Sequence, residues 1–294
     1  MEARLLFVHA FSPLHAGTGQ AAGVIDLPVA REKATGLPYL PGSSLKGVLR
    51  EACRDKDLQK KIFGPDTTEA SEHAGSVQIS DQRLLALPVR SLKATFAWVT
   101  SPYVLHRLLR DAACVAAAAP PPDVPEPAST ASCLVSDGVS AIVQRDQVIL
   151  EDLDLKASSD KKTKAWADWI QGQVFTDDPA WGRFFADRFC VLHDEVLSFL
   201  VETATEITAR IRLREDAKTV EQGGLWYEEA LPAETILSGL VVATPVDKVK
   251  IGTQEVFQKL TELINKPLQL GGKATVGRGL CRLRLAGGVS RANT

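Results

Sequence analysis

Short apolar runs recur along the chain, and most of them have the length of a β-strand. Arg4–Ala10 is nearly continuous in apolar residues, while Glu206–Leu213 and Leu280–Leu285 alternate apolar and polar positions. A period of two is typical of a strand with one buried face. The remaining runs for which we predict strands are Ser76–Ser80, Arg83–Val89, Ala94–Val99, Leu192–Leu200 and Thr235–Ala243.

Other segments have the spacing of a helix. After Pro41-Gly42, apolar residues fall at positions i, i+3, i+4 and i+7, which places them on one helical face; they are Leu45, Val48, Leu49 and Ala52. Ser43 or Ser44 is the predicted N-cap of this helix, and Gly64-Pro65 is its predicted end. We predict further helices from Pro102 to about Ala119, over Pro179–Cys190, with an aromatic stripe, and over Gln254–Ile264.

Mixed helices and strands with an antiparallel character predict an α+β fold. A strand–helix–strand opening and a helix–strand close fit a ferredoxin-like core enlarged by insertions. The long Gly- and Pro-rich segment 11–41 is typical of a functional loop, and Ala116–Ser132 is a low-complexity connection. The pattern over 141–175 supports no assignment, and Gly223-Gly224 is the predicted turn before the segment Leu225–Thr235.

Composition excludes several classes of protein. The five cysteines form no CxxC pair, so a zinc site or a disulfide framework is not expected, and their odd count fits a reducing compartment. No apolar stretch approaches a membrane span, and the N-terminus lacks a secretory signal. We therefore expect a cytoplasmic protein with no membrane partner.

Charge is sorted into blocks along the chain. The net charge is -2, so any affinity for a polyanion must come from local patches. Residues 31–61 hold eight basic residues against four acids, and the chain from Lys266 onward holds six basic residues and no acid. Two regions of the chain are therefore candidates for anion binding.

The first candidate site is PGSSLKG, Pro41–Gly47. A helix start offers unpaired N–H groups and a positive dipole end, and Lys46 adds a charge within the first turn, which suits a phosphate. A well-capped helix with a solvated lysine is the alternative interpretation, and local sequence alone favours it slightly.

The second candidate site is LGGKATVGRGL, Leu270–Leu280. Its glycines allow a close backbone approach to an anion, and Lys273 and Arg278 supply positive charge. It has neither the Walker A order nor a dinucleotide fingerprint. A tight turn into the last strand is the alternative interpretation.

Two further groups of residues carry reactive side chains. His15 and Asp26 lie in the first loop, and Trp226, Tyr227 and Glu228 combine stacking surface with a carboxylate. The alternatives are solvated loop residues and a hairpin that packs its aromatics on the core. No Ser-His-Asp order and no HExxH spacing is present, which argues against a zinc hydrolase.

Several blocks together resemble a known family. They are HAGTG (15–19), VIDLPVARE (24–32), LPYLPGSSLKGVLRE (37–51), FGPD (63–66), LLALPVRSLKATFAWVTSP (84–102), LWYEEALPAET (225–235) and LGGKATVGRGL (270–280). This set is similar to the RAMP proteins of CRISPR effector complexes, and it most resembles the backbone subunit of type III-B (Cmr) complexes. Residues from about 117 to 190 match poorly.

The resemblance implies one RAMP domain over residues 1–294. Its parts would be a modified ferredoxin-like or RRM-like palm, a lid loop at about 11–41, a variable insertion at about 117–190 and a thumb-like hairpin at about 214–235. The implied partners are guide RNA, target RNA, further copies of the chain stacked as a helical filament, and other subunits of the effector complex.

The resemblance also implies an endoribonuclease that cuts paired target RNA at regular intervals. Asp26 matches the required loop aspartate, as general base or as ligand of a divalent metal such as Mg²⁺ at the target phosphate, with no preformed protein cage expected; His15, Tyr227 and Glu228 match its helpers. We expect the two basic blocks to contact RNA through Ser43, Ser44, Lys46, Arg50, Gly271, Gly272, Lys273 and Arg278. A non-catalytic guide-RNA scaffold and a guide-processing endonuclease are the alternatives.

Overall fold

The structure is a computed structural model, and it describes residues 1–17, 25–65, 73–115, 120–138, 140–214, 219–246 and 249–286. The strands of this part are β1 (Glu2–Ala10), β2 (Tyr39–Leu40), β3 (Val77–Ile79), β4 (Gln82–Arg90), β5 (Phe96–Thr100), β6 (Ser132–Ser136), β7 (Gln147–Leu150), β8 (Leu153–Asp160), β9 (Phe189–Leu192), β10 (Glu206–Leu213), β11 (Val220–Ala230), β12 (Ile236–Ala243), β13 (Leu268–Gln269) and β14 (Leu280–Leu285). The α-helices are α1 (Gly42–Ala52), α2 (Lys56–Phe63), α3 (Pro102–Ala112), α4 (Lys161–Val174), α5 (Pro179–Ala186), α6 (Asp194–Thr203) and α7 (Thr253–Leu263).

One large mixed sheet organises the described residues. Its strands run in the order β13-β14-β1-β12-β4-β5-β9-β6-β8-β7, with β2 on β4 and β3 on β12. The pairs β5–β9 and β6–β8 are parallel, and the other pairs are antiparallel. The mixed α+β class predicted from the sequence is confirmed.

Helices cover both faces of this sheet. Phe7 of β1 contacts Trp169 of α4 with ring centroids 6.1 Å apart, and Arg4 lies 4.2 Å over the ring of Phe257 in α7. Arg4 and Phe7 are an odd number of residues apart along β1, so their side chains point to opposite faces of the sheet. Helices α4 and α7 therefore lie on opposite sides of β1. The largest fully buried side chains include Trp98 and Trp166.

Strands β10 and β11 form a separate two-stranded sheet, and the long loop before β2 packs on it. Leu14 pairs with Leu231 and Leu27 pairs with Glu228 as isolated bridges. The described residues of this loop are therefore tied to the hairpin by backbone hydrogen bonds. Residues 18–24, which include part of HAGTG and the start of VIDLP, lie outside the described part.

Most predicted strands are confirmed, but Leu192–Leu200 is wrong. Its first residue ends β9, and the rest begins α6. Val196, Leu197, Leu200 and Val201 are the buried residues of that helix, and their spacing is that of one helical face. His193 caps the helix at Glu195 N, and two acids in its first turn complement the dipole.

The single helix predicted from Ser43 to Gly64 is also wrong, because the chain breaks it in two. Asp55 accepts hydrogen bonds from Asp57 N and Leu58 N, so it caps α2 and ends the continuity with α1. The predicted serine cap of α1 is absent: the N-cap is Pro41, and Gly42 N donates to Asp81 Oδ1 over 2.8 Å.

Other boundaries shift. The helix from Pro102 ends at Ala112 rather than near Ala119, and 116–119 lie outside the described residues. The aromatic helix from Pro179 ends at Ala186, because Phe189 already belongs to β9. The unassigned segment 141–175 contains β7, β8 and α4.

The predicted Gly223-Gly224 turn is wrong, since both glycines lie inside β11. No helix of the described residues has the length and apolar character needed to cross a bilayer.

Candidate active site

Asp26 lies against the outer edge of the hairpin. Its exposed carboxylate accepts a hydrogen bond from Tyr227 N at 2.8 Å. The next residue continues the pairing, because Leu27 N donates to Tyr227 O at 3.1 Å and Glu229 N donates to Leu27 O at 3.0 Å. The loop segment at Leu27 therefore pairs along the free edge of β11, and Asp26 lies at the solvent-exposed end of this segment.

Glu228 is buried, and its side chain lies on the face of β11 opposite to that of Tyr227. Its carboxylate accepts from Lys273 Nζ at 2.8 Å, from Trp226 Nε1 at 2.8 Å and from Arg210 Nε at 3.2 Å. Burial by itself would raise the pKa of this carboxyl, but the three donors outweigh burial and lower the pKa to about 2. Glu228 is therefore ionised at neutral pH, and it holds the glycine-rich segment Leu270–Leu280 on the hairpin through Lys273.

Glu229 is the second buried acid of β11, with its side chain 2% exposed. Its Oε2 accepts from Val29 N at 2.9 Å, and its Oε1 accepts from Arg31 at 2.5 Å and from Thr205 Oγ1 at 2.9 Å. Arg31 also donates to Val201 O at the end of α6. The long loop, the hairpin and α6 therefore converge on one carboxylate.

His15 is buried and enclosed by glycines. Its Nδ1 lies 2.6 Å from Glu229 O, and because a carbonyl oxygen can only accept, Nδ1 is the donor in this hydrogen bond. A Cβ on Gly17 would lie 2.6 Å from Nε2 of this ring, and a Cβ on Gly271, which has φ +70°, would lie 2.3 Å from His15 O. Gly272 N donates to the same carbonyl at 3.0 Å. These glycines are required by close packing against His15.

Arg278 is buried at the base of the hairpin. It donates to Thr208 Oγ1 at 3.0 Å and lies 3.9 Å from Glu206 Oε2. Burial raises the pKa of the Glu206 carboxyl, and the nearby Arg278 charge opposes that shift. The side chain predicted to contact RNA therefore joins the glycine-rich segment to β10.

The helix α1 presents a different environment. Lys46 is half-buried, and both burial and the neighbouring charge of Arg50 lower the pKa of its ammonium. Within the described ranges it has no carboxylate partner. Ser43 is exposed and Ser44 half-buried, while Arg50 donates to Gly64 O at 2.6 Å.

The structure brings most of the predicted catalytic residues to one strand. Asp26, His15, Tyr227 and Glu228 all lie on or against β11, together with Gly271, Gly272, Lys273 and Arg278. The described contacts do not join Ser43, Ser44, Lys46 or Arg50 to this group. Among the described residues, no cluster of three His, Cys, Asp or Glu side chains has the geometry to hold a metal ion.

Sequence reasoning missed several members of the site. Arg210, Thr205 and Thr208 lie in or just before an alternating strand that carries no motif, so only the pairing of β10 with β11 reveals their role. The tandem acids of LWYEE were a usable sign, since adjacent residues of a strand point to opposite faces.

Comparisons with known proteins identify the family of the chain. Residues 7–282 match the RAMP superfamily. The CRISPR system Cmr endoribonuclease Cmr4 of Pyrococcus furiosus is 37% identical over 295 residues, covering 97% of this chain and 96% of that one. The CRISPR system CMR subunit Cmr4 of Saccharolobus solfataricus is 24% identical, covering 95% and 94%.

Solved structures are similar along the same length. The crystal structure of oligomeric Cmr4 from Pyrococcus furiosus has a TM-score of 0.72 at 28% identity, covering 97% of this chain and 98% of that chain. A chain in the cryo-EM structure of type III-B Cmr-beta bound to cognate target RNA has a TM-score of 0.71 at 22% identity, covering 97% of each, which shows a shared fold. The resemblance found in the sequence blocks is confirmed: the chain belongs to the RAMP superfamily and, within it, to the Cmr4 family.

Proposed function

We propose that this chain is the backbone subunit of a type III-B CRISPR effector complex and that it cleaves target RNA paired to a guide. Its Pyrococcus furiosus relative is named a Cmr endoribonuclease and matches it over nearly the full length of both chains. A solved relative is described as oligomeric, which supports several copies in one assembly with guide RNA, target RNA and other subunits.

The observation that carries the proposal is the setting of Asp26. Its carboxylate is exposed, yet the hydrogen bond to Tyr227 N fixes it on the hairpin. A catalytic carboxylate needs access to substrate together with a defined position. Among the acids of this cluster, Glu228 and Glu229 are buried and occupied by donors, so Asp26 is the acid that can reach RNA.

The architecture assigned to the chain follows the same reasoning. We assign the large sheet to an RRM-like, ferredoxin-like palm, the segment 11–41 to the lid, and β10–β11 to the thumb-like hairpin. This hairpin begins at Glu206, before the bounds of about 214–235 expected from the resemblance. One face of the hairpin exposes apolar side chains, which are Ile207, Ile211, Leu225 and Tyr227. Such a face suits insertion between bases, because unstacked bases pack on apolar and aromatic side chains.

Cleavage would use the 2′-hydroxyl next to a splayed base. Once unstacked, that hydroxyl can align with the adjacent phosphate and attack phosphorus as the P–O5′ bond breaks, which would leave a 2′,3′-cyclic phosphate and a 5′-oxygen that takes a proton from solvent. Asp26 can accept the proton of the 2′-hydroxyl or bind a cation at the phosphate. Lys273 is one-third exposed and can offset charge on the phosphate while it remains paired with Glu228. The burial of His15 and Glu228 favours positioning roles for both, in contact with the glycine-rich segment and the hairpin.

A divalent metal fits this site only as a partner of the RNA. Mg²⁺ is commonly bound through one or two carboxylates together with substrate phosphates, and Asp26 offers one exposed carboxylate. When bound, the ion would neutralise phosphate charge and stabilise the transition state.

Guide binding is assigned to the surface of α1. Lys46 is a half-buried cation without a carboxylate partner in the described part of the chain, and a phosphate would supply the missing charge. Because base pairing reads the sequence, the protein needs only backbone and shape contacts.

The test is cleavage by the assembled complex. With guide RNA, labelled target and Mg²⁺, wild type should cut the target at regular intervals. Asp26→Asn should slow single-turnover cleavage by about 10²-fold or more with an unchanged target Kd. The matched control is Asp194→Asn, which alters another exposed aspartate that accepts a distant backbone N–H, from Tyr103 at 2.9 Å.

Two outcomes would select the alternatives. Cleavage at the wild-type rate by Asp26→Asn would favour the non-catalytic guide-RNA scaffold as the role of this chain. Cutting of precursor guide RNA by the isolated chain would favour a guide-processing endonuclease.

A further inference from the structure

Glu229 is a buried carboxylate that accepts hydrogen bonds from three residues in two separate parts of the chain. Val29 N from the lid donates to one oxygen, and Arg31 and Thr205 donate to the other. Arg31 extends the network to Gly36 O at 2.9 Å and to Val201 O at 2.9 Å. A buried charge with this many donors is held in one place, because moving it would leave several polar groups unpaired.

The position of this anion along the chain connects it to Asp26. Val29 lies three residues after Asp26, and Leu27 between them pairs with β11. The lid is thus fixed on β11 at two levels, by backbone bonds at Leu27 and by the carboxylate at Val29. The attachment at Val29 lies close enough along the chain to limit how far Asp26 and Leu27 can move from β11.

The tandem acids of β11 act on opposite faces. Glu228 holds Lys273 of the glycine-rich segment on one face, and Glu229 holds the lid on the other. Asp26 and Lys273 are the two groups proposed to act on the phosphate. Both are therefore held in place by contacts with β11.

We infer that Glu229, through its contacts with Val29 and Arg31, is a positioning residue that sets the place of Asp26 for cleavage. The inference rests on the proposed function, and it adds a residue that does not touch RNA itself. It also identifies Arg31 as the partner that neutralises Glu229.

The substitution Glu229→Gln tests this with almost no change in volume. A glutamine has one acceptor oxygen and one NH₂ group, so it cannot accept at both places where the glutamate accepts. The NH₂ group of the glutamine would then face either Val29 N–H or the donor groups of Arg31 and Thr205. The lid should loosen at Val29, and Asp26 should leave its position more often.

The expected result is a separation of rate from binding. In the assembled complex, Glu229→Gln should lower the single-turnover cleavage rate at saturating complex by about 10- to 100-fold, with a target Kd within about twofold of wild type. Hydrogen exchange should accelerate at residues 25–29 and at Tyr227, and not in β1 or β4. Asp111→Asn is the matched control, since it also breaks a buried ion pair, with Arg83, away from the hairpin; it should leave the rate unchanged.

A double variant distinguishes positioning from general destabilisation. If Glu229 acts through Asp26, Asp26→Asn with Glu229→Gln should cleave no more slowly than Asp26→Asn alone. An additive loss of rate, or a rise in the target Kd by the same factor as the loss of rate, would overturn the inference. So would a wild-type rate for Glu229→Gln while Asp26→Asn is inactive. An active Asp26→Asn would instead refute the proposed function and remove the basis of the inference.

Discussion

At the scale of single residues, the site depends on how each charge is paired. Glu228 and Glu229 are buried and bound by several donors, Lys273 is shared between Glu228 and solvent, and Asp26 is exposed. All four residues lie in motifs that the sequence analysis singled out, but the motifs could not distinguish the exposed acid from the buried ones. Their burial depends on contacts with Arg210 and Arg31, which are distant along the chain.

The ionised state of Glu228 predicts a specific loss of stability in acid. Its pKa is about 2, below the ordinary 4.5, so its contribution is complete above about pH 4.5 and is lost as pH falls towards 2. The full contribution is on the order of 3 kcal/mol. Denaturant unfolding between pH 7 and pH 3 should show a smaller fall in stability for Glu228→Gln than for wild type. Equal falls would show that Glu228 is not held by its three donors.

At the scale of elements, strands with clean alternation were predictable and helix ends were not. Glu206–Leu213 and Leu280–Leu285 match β10 and β14, because a period of two is visible in sequence. The helical pattern continues across the break between α1 and α2, so it does not reveal that Asp55 caps a second helix. At Leu192–Leu200, one apolar run served first a strand and then a helix, and periodicity could not locate the change.

Lys46 has no carboxylate partner among the described residues, and this gives a prediction about RNA binding. Lys46→Ala should weaken the binding of the chain to single-stranded RNA and reduce the slope of log K against log salt by about 0.7. Lys164→Ala is the control, because Lys164 is already paired with Asp168 on α4. Binding titrations over a series of salt concentrations measure both variants. An unchanged slope for Lys46→Ala would remove Lys46 from the RNA contacts.

At the scale of the whole molecule, the described residues between 120 and 190 contribute strands to the main sheet. Strands β6, β8 and β7 continue it beyond β9, and α4 packs on β1. Sequence patterns left 141–175 unassigned, because the parallel pairs of this region join strands that are distant along the chain. The mixed class could be predicted, whereas the order of the strands could not.

This continuity predicts one unfolding transition for the described core. Trp166 is fully buried in α4, so Trp166→Ala should lower the free energy of unfolding by about 3–5 kcal/mol. Far-ultraviolet circular dichroism and tryptophan fluorescence should give coincident denaturant curves in both wild type and variant. Leu92→Ala, at a side chain 70% exposed, is the control and should change little. Separate transitions would show that the region unfolds independently.

The glycines around His15 restrict how RAMP proteins can be recombined. Gly17 belongs to the lid, and Gly271 and Gly272 belong to a segment more than 250 residues away, yet all three pack against the same histidine. A glycine-rich segment from a related protein with a side chain at position 271 would place its Cβ 2.3 Å from the His15 carbonyl oxygen. Chimeras that exchange the two segments together should therefore fold more readily than those that exchange either one.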